Sequence, residues 1–280
     1  MKMDCHIHAA LSGVDWRADI ARNEQYIDDA RLHDMLEAYR VAGYTYLRDG
    51  GDKWGVSARA RELAPKYGIT YKTPLSPLCK AGCYGSFIGT AWEDMTHYRS
   101  LVRQHREQGA DFIKLMLSGL MDFHNFRVLT QPGLEAGEIR ELVHIAKAEG
   151  FSVMVHCNGP RTVEAAALAG ADSVEHGAYL DRRCLEAMAA SGTVWVPTLS
   201  TVANLRGKGL FPETHLQKIL DSALENVNRF ASMGGLLATG SDAGAREVFH
   251  GVDTETPLFA LACVDNACMD RGNSAIFRRF

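Results

Sequence analysis

A chain of 280 residues, 46% hydrophobic and 23% charged, carries enough apolar material to bury a large core, which excludes a disordered or fibrous protein. Its net charge of −4 and isoelectric point near 6.3 provide no basic surface for nucleic acid or for an anionic membrane. No apolar run is long enough to span a bilayer, and the first residues lead into a histidine-bearing strand rather than a signal-peptide core, so a cytoplasmic location is expected.

The first strand runs from Met3 to His8, and because side chains alternate across a strand, His6 and His8 share a face. A polar loop follows to Asp29; Leu32, Met35, Leu36, Tyr39 and Val41 then recur at helical spacing until Gly43. Tyr44 to Leu47 forms a second strand, delivering Arg48-Asp49-Gly50-Gly51 at its end. A helix from Val56 to Tyr67 precedes a third strand, Ile69 to Lys72, and a long glycine-rich loop containing Cys79, Cys83 and Tyr84. Cys79 and Cys83 have no second pair at structural-zinc spacing, and the seven cysteines form no disulfide framework, as expected of a reducing compartment.

A helical pattern from Trp92 to Gln108 leads to the strand Phe112–Leu117, which carries Lys114, and then to a second long loop, 118–133, with His124 and Arg127. A helix at 134–149 gives way to the strand Phe151–His156, followed closely by Asn158 and Arg161. The pattern repeats with a helix at 162–169, the strand Asp172–His176, a helix from Asp181 to Gly192, and the strand Thr193–Val196. A helix at 213–233 reaches the eighth strand, Leu236–Thr239, before Gly240-Ser241-Asp242, and a last helix covers 256–269.

Eight strand-helix units predict one α/β domain over 1–280 with the architecture of a (β/α)8 TIM barrel. A glycine that caps a helix is repeatedly followed by an apolar strand and then a polar residue, so Lys114, His156, His176 and Asp242 fall at carboxyl strand ends with His6 and His8. That is the catalytic mouth of a barrel. No glycine-rich phosphate-binding sequence opens a helix, so a nucleotide cradle is not indicated.

Lys114 presents a physical problem, because a buried ammonium costs several kcal/mol, roughly, unless it is paired or neutralised. A single histidine at a strand end is ordinarily a satisfied structural residue, and Asp242 alone would suit a helix N-cap. Six residues of ligand type at one rim point instead to metal.

Asp4-x-His6-x-His8, Lys114 in Ile-Lys-Leu-Met-Leu-Ser-Gly, His156, Val-Glu-His176-Gly and Thr-Gly-Ser-Asp242-Ala-Gly resemble the amidohydrolase superfamily, most closely its prolidase-like and imidazolonepropionase-related branches. The resemblance spans about Met3 to His250. It implies a binuclear centre, usually zinc: His6 and His8 on one ion with Asp242, His156 and His176 on the other, and Lys114 between them as a carbamate formed with carbon dioxide. It further implies hydrolysis of a carbon-nitrogen bond in a small amide by a metal-bridging hydroxide, with Asp242 as general base and then acid. Such a carbamate would convert the buried cation into an anionic ligand.

The chain departs from that pattern in two ways. Members commonly add a β-sandwich, for which this sequence leaves no room, so a barrel without it is expected, closed by its own helices or as a homo-oligomer. Asn158 stands where prolidase-like members often place a tyrosine. Tyr84, His124, Arg127, Asn158 and Arg161 are candidate substrate contacts, an arginine being suited to an anionic group. Readings left open are a mononuclear deaminase in which Lys114 binds no metal, a lactonase or esterase, and a catalytically inactive small-molecule-binding barrel.

Overall fold

The computed structural model describes residues 1–280. Its ten strands are β1 (Lys2–Ile7), β2 (Tyr44–Asp49), β3 (Thr70–Lys72), β4 (Leu78–Lys80), β5 (Thr90–Trp92), β6 (Ile113–Met116), β7 (Val153–Cys157), β8 (Ser173–His176), β9 (Val194–Val196) and β10 (Leu236–Leu237). They form two arcs in which every pairing is parallel: β1-β2-β3, and β10-β9-β8-β7-β6-β4-β5.

Backbone hydrogen bonds join the arcs at both seams. At one, Cys5 N–H donates to Thr239 O (2.9 Å), Asp242 N–H to His6 O (2.7 Å) and His8 N–H to Ala243 O (2.7 Å). At the other, Asp111 N–H donates to Thr73 O (3.0 Å). The third position of the ring is shared: β3 pairs with β2, and after a break holding Pro74 and Pro77, residues without the N–H a ladder needs, β4 pairs with β6. The result is a TIM-barrel-like arrangement in which β5 hangs on the outside of β4.

Inward and outward faces follow the two-residue alternation. Met3 and Cys5 of β1, Tyr46 of β2, Met154 of β7, and Val194 and Val196 of β9 pack in one cluster. Strands that face each other across the ring supply these side chains, so the cluster fills its interior. Ala275, Ile276 and Phe280 complete it, which makes the helix Asn266–Arg279 the stopper of the end opposite the site. Outside, the helices around the second arc enclose a cluster of 37 buried residues, and those around the first arc one of 17.

Several elements differ from the sequence reading, among them β4 and β5 in the expected glycine-rich loop and a short helix, Ser200–Ala203, in the loop before the helix at 213. Trp92 ends β5, and the helix after it is Met95–Glu107, started by Asp94, whose side chain accepts from His97 N–H (2.8 Å). The polar loop before Asp29 contains a short helix, Trp16–Asn23, capped by Asp15. The helix from Val56 ends at Leu63 and tightens into a 3-10 turn, Ala64–Tyr67, around Pro65. In place of one last helix there are two, Glu255–Leu261 and Asn266–Arg279, separated where Cys263 takes a positive φ and Asp265 caps the second by accepting from Cys268 N–H (2.7 Å).

Candidate metal centre

β1 carries a register shift between Asp4 and Ile7, which turns Asp4 away from the ring and lets both His6 and His8 face inward. Asp4 accepts from His6 N–H (3.3 Å), Ser241 N–H (2.9 Å) and Ser241 Oγ (2.6 Å), so one buried carboxylate ties the histidine strand to the segment carrying Asp242.

Asp242 then lies among three imidazoles. Its Oδ1 is 3.5 Å from His6 Nε2 and 3.4 Å from His8 Nε2, and its Oδ2 is 4.0 Å from His176 Nδ1. His156 closes the group, its ring centroid 4.6 Å from that of His176, which is 5.0 Å from His6. Lys114 on β6 is fully buried, its Nζ has no hydrogen-bond partner, and its charge acts on all four imidazoles. His176, Thr198 and Asp242 have φ of 67°, 47° and 60°, so the chain adopts a left-handed conformation, which non-glycine residues rarely accept, at the last residue of β8 and in the segments after β9 and β10.

Burial is the largest cause of every shift here, followed for the imidazoles by neighbouring cationic groups. It pushes His8 and His156 down to about 3 and holds His6 and His176 well below the ordinary imidazole range. The four rings are therefore neutral and keep a lone pair for a ligand. Burial also lowers Lys114, against the opposing pull of Glu175, and raises Asp242, against the pull of Lys114.

A divalent ion fits this set. His6 Nε2, His8 Nδ1 and Lys114 Nζ are buried polar atoms without partners, a costly arrangement for the protein alone. One ligand atom from each of His6, His8 and Asp242 lies within 4.8 Å of the other two. Imidazole and carboxylate suit zinc and its neighbours.

Of the candidate substrate contacts, Tyr84 and Asn158 reach the centre. The Tyr84 ring is 4.8 Å from that of His156, and Asn158 Nδ2 is 3.4 Å from His156 Nε2. The Asn158 amide is engaged elsewhere, donating to Gly119 O (3.0 Å) and accepting from Ala178 N–H (2.9 Å), so it fastens the loops after β6 and β8 together. His124 and Arg127 are exposed on the loop 118–133, His124 against the ring of Phe211, and Arg161 is exposed in the first turn of the helix Pro160–Leu168 rather than on a loop.

Sequence reasoning missed the support beneath the histidines. Val174 packs outward, so Ser173 and Glu175 face inward; Leu47 does the same on β2, turning Arg48 inward. Glu175 Oε2 lies 2.8 Å from His6 Nδ1, while Arg48 Nη2 donates to Glu175 Oε1 (2.9 Å). The available signal was the spacing of Ser173 and Glu175, two polar residues on the inner face of a buried strand.

Parallel strands with flanking helices and a cluster of neutral imidazoles at their carboxyl ends define a TIM-barrel-like protein with a candidate divalent-metal centre. Residues 3–279 match the Amidohydrolase family, and the chain belongs to it. It is 29% identical over 237 residues to an ochratoxinase of Aspergillus niger, an alignment covering 77% of this chain and 46% of that one, so it spans about half the length of this curated relative. Among solved structures it resembles a Xaa-Pro dipeptidase with methionine in the active site (TM-score 0.74, 20% identity, 99% of this chain and 75% of the other). A prolidase complexed with N-methylphosphonate-L-proline is similar at TM-score 0.73 and 23% identity, covering 99% and 71% of the two chains. The Aspergillus niger ochratoxinase structure gives 0.70 and 22%, covering 98% and 68%.

Proposed function

We propose that the protein hydrolyses a carbon-nitrogen bond in a small amide, such as a dipeptide or an acylated amino acid, with two divalent ions, zinc being the metal of choice. Relatives named as a dipeptidase and a prolidase support the bond type. The observation that carries the reading is the convergence of four neutral imidazoles, Asp242 and an unpartnered Lys114 at one mouth.

In this reading His6, His8 and Asp242 hold one ion and His156 and His176 the other. When bound, the ions supply an acidified water and polarise the substrate carbonyl. Burial lowers the proton affinity of Lys114 and so makes its uncharged, nucleophilic form easier to reach. Its nitrogen attacks carbon dioxide, a nitrogen-carbon bond forms, a proton leaves to solvent, and the resulting anionic carbamate lies between the two ligand groups. Asp242 takes the proton of the attacking water as the new carbon-oxygen bond forms, then returns it to the nitrogen as the carbon-nitrogen bond breaks.

The test is amine release from dipeptides and N-acyl amino acids by zinc-loaded protein. Chelator-sensitive hydrolysis, reduced about 10²- to 10⁴-fold in Asp242→Asn, is the expected result. Loss of neither metal nor Asp242 affecting turnover, or no amide cleaved across the set, would overturn the reading.

A further inference from the structure

The layer under the histidines is more ordered than a core needs. Arg48 crosses the ring from β2 to β8: its Nη1 donates to Ser173 Oγ (2.9 Å), its Nη2 to Glu175 Oε1 (2.9 Å), and its Nε to Cys5 O (2.7 Å). Ser173 Oγ donates to the same Glu175 Oε1 (2.5 Å). Phe280 covers the guanidinium, its ring centroid 4.4 Å from Cζ. Arg48, Glu175 and His6 are all without solvent exposure.

The two oxygens of Glu175 therefore have different partners. Two donors converge on Oε1, which leaves Oε2 to accept from His6 Nδ1 at 2.8 Å. Carrying its hydrogen on Nδ1, His6 presents a bare lone pair at Nε2, the atom that has no partner and lies 3.5 Å from Asp242 Oδ1. The other tautomer would set a hydrogen on Nε2, aimed at the ion, and leave the Nδ1 lone pair facing a carboxylate.

We propose that Glu175 is a positioning residue for His6, locked in place by Arg48 and Ser173, which fixes the ring's tautomer and rotation so that Nε2 is a ready ligand for a divalent cation. This rests on reading the histidine cluster as a metal centre. The bland counterpart is that Glu175 only neutralises a buried arginine, and that role makes no demand on the imidazole.

Two measurements separate these. In metal-free wild-type protein labelled with ¹⁵N-histidine, with His6 assigned by comparison with His6→Gln, the resonances should show hydrogen on Nδ1 and none on Nε2; the reverse tautomer overturns the proposal. Zinc affinity, read by competition with a chromophoric chelator, should fall about 10- to 100-fold in Glu175→Gln. Because that variant leaves Arg48 poorly paired, the double variant Arg48→Met with Glu175→Gln is measured beside it, with circular dichroism confirming the fold. A solely structural role predicts wild-type zinc affinity in the folded double variant, and that result overturns the proposal. If wild-type protein binds no zinc, the metal reading fails instead, while the tautomer measurement still decides the arrangement of His6 and Glu175.

Discussion

Gly50 has no room for a side chain. A Cβ there would sit 2.3 Å from His8 Cε1 and 2.9 Å from both ring nitrogens, so the chain end of β2 walls in the second histidine. Gly50→Ala should displace the His8 ring and weaken zinc binding by about tenfold or more with the circular dichroism unchanged; wild-type affinity in the folded variant would contradict this. At this scale Lys114, His156, His176 and Asp242 could be placed at one mouth because each follows a capping glycine and an apolar run, and His6 and His8 because alternate residues of one strand share a face. Glu175 and Arg48 were not, since their partnership spans 127 positions and exists only once β2 and β8 face each other across the ring. Asn158 had the right location for a substrate contact, but its amide is engaged by Gly119 and Ala178, which no local pattern records.

Among the elements, the helix Asn266–Arg279 is the one on which the others depend for closure. It crosses β10 so closely that a Cβ on Gly272 would lie 1.8 Å from Leu237 O, and its far end inserts Ile276 and Phe280 into the ring. Gly272→Ala should lift the helix from β10 and cost about 1–3 kcal/mol, as overpacked sites do. Phe280→Ala should cost about 3–5 kcal/mol, because it empties a buried aromatic site against Phe112 and uncovers Arg48. Denaturant unfolding measures both, and unchanged midpoints would show that the stopper is dispensable. Gly272 also explains why this helix was not legible: a glycine flanked by polar residues reads as a stop, yet here it marks close backbone approach rather than an end.

On the scale of the whole molecule, the repeated order of glycine, apolar strand and polar residue made the eightfold ring legible, because β-periodicity and helix caps are local properties. The sharing of the third position by β3 and β4 was not, as two short strands around prolines look like one strand and a loop. Between the β1–β10 seam and the last two helices lies a cavity of about 240 Å³ whose lining includes Asp4, Asp253, Glu255 and Asp270. Burial raises Glu255 from 4.5 to about 8. A carboxyl raised on folding binds its proton more tightly in the folded state, so its contribution to stability is complete below about 4.5 and is lost as pH rises through about 8. The four lowered histidines act in the opposite sense, their contribution fading as pH falls below about 6.5. Comparison with Glu255→Gln isolates the first effect: the variant should gain stability relative to wild type between pH 5 and pH 8, and parallel pH profiles from denaturant unfolding would refute the assignment.

The whole scheme turns on what sits at residue 114 and how many ions accompany it. Protein purified with zinc and ¹³C-bicarbonate should contain close to two zinc ions per chain and give a carbamate carbon signal that disappears, together with bound metal, in Lys114→Ala. An unlabelled free amine at Lys114 in protein that binds one ion or none would contradict it.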